Sequence, residues 1–240
     1  MSLVNRLLGA AVLAIASVAT AHAAVITFEG LSGPAFNQQG FNEAGYNVSF
    51  VAPGNVPPNT VLIGRFIDGS DPASCGTSIC PTDNPTTYLD LFNTGYVDII
   101  TAGTPGATFR FSSLDASFIA SEDTTYPNFP AALQVIGFRA DGTSTSIQFD
   151  IPNVIDFQTF NAADVDPSFA GQDFVEIAIV GFGCVQNGQC SGLDGTPGEI
   201  GLDNIVLSDL SPGSQVPEPA TLSLLAFGLM GLGARMRRRH

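Results

Sequence analysis

Tryptophan is absent from the chain, lysine is absent between Ala24 and Val216, and histidine occurs only at the two ends, as His22 and His240. Without histidine in its middle, the chain has no Ser-His pair, no histidine-based zinc site and no side chain that ordinarily titrates near neutrality. Without lysine, only Arg65, Arg110 and Arg139 stand in that stretch against 21 of the 22 acidic residues, a formal charge of −18. Such a field repels a phosphate backbone and excludes nucleic acid as a partner. An acidic surface favours solubility and divalent cations, although most individual aspartates read equally well as solvated exterior. The lack of tryptophan, with only Tyr46, Tyr88, Tyr96 and Tyr126 as tyrosines, weighs against a dedicated sugar binder built on broad aromatic platforms.

What is present is most organised at the ends. Arg6 precedes an apolar run from Leu7 to Val18 and the small-residue stretch Ala19-Thr20-Ala21-His22-Ala23. That order is a secretory signal peptide, with cleavage expected before Ala24, and it implies signal peptidase and the secretion machinery as partners. At the other end Val216-Pro217-Glu218-Pro219 leads into an apolar segment, Ala220 to Ala234, and then Arg235, Arg237, Arg238, Arg239 and His240. As a helix this segment rises about 22 Å, short of a hydrocarbon core of roughly 30 Å, and flanking arginines can snorkel to close the gap. The basic cluster is expected to stay cytoplasmic, placing the middle of the chain across the inner membrane.

Pro217-Glu218-Pro219, the short apolar span and the arginine tail resemble the PEP-CTERM sorting domain of exported proteins from Gram-negative bacteria that make extracellular polysaccharide. The resemblance covers roughly the last 25 residues. It implies a precursor held in the inner membrane until an exosortase-like protease processes it near the tripeptide, a mature product at the cell surface or in the matrix, and exopolysaccharide as a candidate partner.

The four cysteines form two close pairs, Cys75 with Cys80 and Cys184 with Cys190. An even count and an oxidising destination argue for two local disulfides, each stapling a short loop; two other complete connectivities and a four-cysteine metal site are the alternatives.

The 193 residues from Ala24 to Val216 can bury one hydrophobic interior. Runs of β-prone residues separated by Gly, Pro, Asn and Asp predict strands over Val25–Phe28, Gly45–Val51, Thr60–Ile67, Thr86–Leu91, Tyr96–Thr101, Ala107–Phe111, Ser117–Ala120, Ala132–Ala140, Thr143–Phe149, Val154–Phe160, Phe174–Phe182 and Asn204–Ser208. Asp141-Gly142 between two such runs marks a hairpin. The pattern predicts an all-β, jelly-roll-like β-sandwich over residues 24–210, preceded by the signal peptide 1–23 and followed by a linker, 211–215, and a short hydrophobic sorting helix within 216–240.

Phe28-Glu29 near the start and Leu202-Asp203-Asn204-Ile205 near the end resemble the edges of β-sandwich ectodomains that carry this tail and are similar to carbohydrate-binding modules. That resemblance implies a structural Ca²⁺ between terminal strands. Adjacent first and last strands would bring Glu29 and Asp203 together, and two like charges favour a cation between them, with carbonyls from the Asn37 to Gly45 loop completing its shell. The functional expectation is a non-catalytic surface or matrix protein with glycan association. The alternative is a glycan-active hydrolase or lyase using paired carboxylates, which requires two carboxyl groups about 5.5 Å or 6.5–9.5 Å apart in a cleft.

Overall fold

The computed structural model of the protein describes residues 23–103, 106–121, 125–185, 188–193 and 198–209. The signal peptide up to His22, the linker and the sorting segment lie outside the described residues. Among the described residues no helix is long and apolar enough to cross a membrane.

The described chain forms β1 (Ala23–Ile26), β2 (Gly33–Phe36), β3 (Gly40–Glu43), β4 (Tyr46–Val51), β5 (Leu62–Asp68), β6 (Ser78–Ile79), β7 (Thr87–Leu91), β8 (Tyr96–Thr101), β9 (Phe109–Ser121), β10 (Ala131–Phe138), β11 (Ser144–Ile151), β12 (Gln158–Asn161), β13 (Glu176–Cys184), β14 (Cys190–Gly192) and β15 (Glu199–Asp209). One sheet runs β12-β9-β15-β7-β5-β2, with β1 on β15 and β6 on β9; the other runs β11-β10-β13-β8-β4-β3, with β14 on β13. All the pairings are antiparallel. The chain changes sheet between β2 and β3, β4 and β5, β7 and β8, β8 and β9, β9 and β10, β11 and β12, β12 and β13, and β14 and β15, giving the expected jelly-roll-like sandwich.

Alternation explains why these segments are strands. In β4, Tyr46, Val48 and Phe50 are buried and the residues between them half-buried; in β11, Ile147, Phe149 and Ile151 point inward and Ser146, Gln148 and Asp150 outward. The β10–β11 hairpin closes as expected at Asp141-Gly142. Gly142 adopts φ 82°, which a side chain would resist, and Thr143 N donates to the Asp141 carboxylate at 2.9 Å. Inward-facing Phe109, Phe111, Phe118, Leu133, Val135, Ile177, Ile179, Ile200, Leu202, Ile205 and Leu207 share one core between the sheets.

Several boundaries depart from the sequence expectation. Of the expected Ala107–Phe111 strand, the part from Phe109 joins Ser117–Ala120 in a single strand of 13 residues, β9. Its buried face passes from Phe109 and Phe111 to Leu114, Ala116 and Phe118, opposite a register irregularity between Asp203 and Val206 where Asn204 takes φ 45°. The switch erases a uniform period of two. The last strand starts at Glu199, so Asp203 sits within it and not at its start. Of Val154–Phe160 only the end is strand, because Phe157 N is drawn to the Asp83 carboxylate at 3.0 Å. The Asn37 to Gly45 segment is no open loop: it contains β3. Two one-turn helices, Ala162–Val165 and Pro167–Ala170, were not expected. The Asp166-Pro167 pair signals the second, with Asp166 accepting from Ser168 N and proline at the first position.

Candidate functional site

The expected meeting of first and last strands is present. β1 pairs with β15, setting Ile26 opposite Ile205. Beyond that register, Glu29 accepts a hydrogen bond from Thr87 N at 3.2 Å, while Asp203 Oδ2 accepts from Thr86 Oγ1 at 3.0 Å. Consecutive residues at the head of β7 therefore contact the two predicted metal ligands. Their surroundings differ. Glu29 is exposed, whereas Asp203 is fully buried, with Oδ2 also accepting from Asn84 Nδ2 at 2.7 Å and Oδ1 from Asn204 N at 2.8 Å. Burial pushes the Asp203 carboxyl up to about 6 against those hydrogen bonds. The nearby segment contributes a carboxylate the sequence did not single out: Glu43 bonds to Thr27 and Phe28. Among the described residues no three His, Cys, Asp or Glu side chains gather as a metal-binding group.

A second constellation lies on the outer face of the β9-β15-β7-β5 sheet. Strand alternation turns Leu89 and Leu91 into the main core and Tyr88 and Asp90 the other way. Tyr88 joins Ile67 and Ile119 in a separate apolar cluster, with Cys80 and Phe157 packed against it. Beside that cluster Arg65 Nε donates to Asp90 Oδ2 at 2.8 Å, and Arg65 Nη2 lies 3.5 Å from Glu199. Arg65 also donates to the Cys75 carbonyl, and Ser78 Oγ donates to Glu199. Asp90 is completely buried. Burial first, and then the Glu199 charge, push its carboxyl well above the usual range despite Arg65. Asp90 Oδ1 is buried without a hydrogen-bond partner, so the Arg65 contact on Oδ2 is the polar support the structure gives this carboxyl. Sequence reasoning missed this cluster because its members are spread over β5, β7 and β15.

A third pair crosses the other sheet. Asp98 on β8 neighbours Glu176 on β13 and accepts from Ser49 Oγ on β4 at 3.4 Å, while its other oxygen is buried without a hydrogen-bond partner. Burial and the neighbouring Glu176 charge raise Asp98 to about 6.

The cysteines form the two expected local bridges, Cys75–Cys80 and Cys184–Cys190. The first closes the segment over Arg65 and Asp90; the second joins the paired ends of β13 and β14. Pro217, Glu218, Pro219, Arg235, Arg237, Arg238 and Arg239 lie outside the described residues.

The fold and its bridges define a disulfide-stapled β-sandwich. The family model of the PEP-CTERM protein-sorting motif matches residues 215–239, directly after that domain. The motif marks an exported protein anchored transiently through its C-terminus and implies processing by exosortase. No curated protein matches the chain. Similar solved structures include TmCBM61 in complex with β-1,4-galactotriose, at 6% identity over 68% of this chain and 88% of that one, TM-score 0.34. A DUF4465 family protein from Bacteroides ovatus matches at 8% identity over 79% and 99%, TM-score 0.42. The enzymatically active domain of tailspike protein 4 of Bacteriophage CBA120 matches at 16% identity over 77% and 20%, TM-score 0.31.

Proposed function

We propose that this is a non-catalytic cell-surface or extracellular-matrix protein, associated with glycan, that an exosortase releases from the inner membrane. The observation that carries the proposal is the sorting motif at 215–239 immediately behind a disulfide-bonded sandwich. The carboxylate geometry favours this over a hydrolase or lyase. Asp90 is completely buried and held by Arg65, out of reach of the water that paired catalytic carboxyls must activate. A surface cavity of about 610 Å³ beside the Cys75–Cys80 bridge is lined by Ser70, Ser78, Thr82 and apolar residues, without a carboxylate.

A structural Ca²⁺ at Glu29 and Asp203 belongs to the same proposal. It is supported by the approach of the two side chains to Thr86 and Thr87 and by the hard-oxygen character of the site. Protein donors on both Asp203 oxygens compete with it.

Intact-mass measurement of protein released from the surface of the native host tests the sorting reading. A product truncated near Pro217–Pro219 is expected, with the full tail retained when exosortase is deleted. Surface protein ending at His240 in cells with active exosortase would overturn it.

A further inference from the structure

β2 ends one sheet and β3 ends the other, and Pro34 of β2 and Gly40 and Phe41 of β3 border a common groove. Its volume is about 300 Å³, at the lower end of volumes that hold small molecules. Its floor is aromatic. Phe41 and Phe66 are each half-buried and meet through Phe50, at ring-centre distances of 6.3 Å and 5.8 Å. Leu31 and Pro34 form an apolar wall, and exposed Ser32 and Gln39 supply polar groups at the rim.

The rim is held in place before any ligand arrives. Asn37, fully buried, accepts from Thr60 N at 2.9 Å and Val61 N at 2.7 Å and donates to the Pro57 carbonyl at 2.8 Å. Gln38 is kept at φ 62° while its N–H donates to the Phe50 carbonyl, and Phe50 N donates back to the Gln39 carbonyl. The Gln39 side chain is oriented as well: Oε1 accepts from Phe36 N at 3.0 Å, which leaves the amide NH₂ as the outward donor. Gly40 borders the groove because a Cβ there would lie 2.5 Å from the Val48 carbonyl. Holding a non-glycine residue at positive φ costs free energy, and here buried Asn37 offsets it to fix a polar rim over an aromatic floor.

We infer that this groove binds one sugar ring of a neutral glycan, an inference that rests on the glycan-associated reading above. An apolar floor beneath a polar rim suits a ring that has C–H groups on one face and hydroxyls around its edge. The C–H face lies on Phe41 and Phe66; hydroxyls accept from Gln39 Nε2 and exchange hydrogen bonds with Ser32 Oγ. None of the groove residues is charged, and the strongly acidic mature chain repels uronate or sulfated polymers.

Calorimetric titration of the full-length exported chain in detergent, with cellohexaose, xylohexaose and mannohexaose as probes and hexagalacturonate as the anionic comparison, tests this. At least one neutral probe is expected to bind. Gln39→Ala, on an exposed residue, should weaken it at least fivefold, and Phe41→Leu should do the same with the fold verified by thermal melting. Gln148→Ala on the opposite edge strand should leave it unchanged. Neutral-glycan binding that survives both groove variants overturns the groove and leaves glycan association standing. Binding of none of the neutral probes overturns both, and preference for hexagalacturonate overturns the neutral class.

Discussion

The Glu43 carboxylate on the edge strand of one sheet closes on Thr27 at the end of β1 in the other, accepting from Thr27 Oγ1 at 2.7 Å and Thr27 N at 3.0 Å through the same oxygen. Its second oxygen accepts from Phe28 N at 3.2 Å, where Phe28 adopts φ 58° with its side chain fully buried. One side chain thus satisfies the backbone where the first strand leaves its ladder. Glu43→Ala leaves those donors unmet and should cost about 2 kcal/mol, or roughly 4–8 °C in Tm, whereas Glu43→Gln should retain part of the loss. A melting curve for Glu43→Ala matching wild type would refute the assignment.

Arg65 offers an asymmetric test. Removing the guanidinium in Arg65→Met leaves buried Asp90 and partly buried Glu199 without their cation, and a loss of about 3–5 kcal/mol is expected. Asp90→Asn removes the charge that burial penalises and should cost much less. Chemical denaturation of both variants checks the order; equal losses would contradict the burial penalty assigned to the Asp90 charge.

Asp98 predicts a pH dependence with a definite sign. Its folded pKa, about 6, lies above the ordinary aspartate value of 3.8, so the folded state binds more protons between those values. The resulting stability is fully present below about 4 and is lost as pH rises through about 6. The groups facing Asp98 from the flanking strands are Glu176 and Ser49, with Tyr96 on its own strand. Asp98→Asn should flatten the fall in Tm between pH 4 and 7 and melt higher than wild type at pH 7.5. A wild-type profile retained in the variant would remove Asp98 as the cause.

Calcium supplies the fourth test. If Glu29 and Asp203 hold Ca²⁺ in the folded state, added calcium should raise Tm by preferential binding, and Asp203→Ala should abolish most of that increment. Because Asp203→Ala also strands Asn84, Thr86 and Asn204 as donors, a lower baseline Tm is expected in the variant, and only the calcium-dependent difference reports the ion. Equal increments in both proteins would sink the site.

The sequence alone determined what depends on local order. The PEP-CTERM motif is a contiguous string, and the cysteine pairs are close enough in the chain for local bridges, so both could be read directly. Strands with uniform alternation, such as Tyr46–Val51 and Ser144–Ile151, and the Asp141-Gly142 turn were equally legible because a half-buried pleat imposes a period of two. The tertiary structure decided whatever requires distant segments to meet. β9 could not be read as one strand because its buried face switches opposite the Asn204 irregularity. Asp203 carried a signal of importance, yet its burial and donors from Asn84 and Thr86 appear only when β15 packs beneath the 84–86 segment. Arg65, Asp90 and Glu199 occupy unrelated stretches of sequence, and Phe41 and Phe66 belong to different sheets. Only antiparallel pairing and the stacking of two sheets place such residues together, since neither contact leaves a period or spacing in the linear chain.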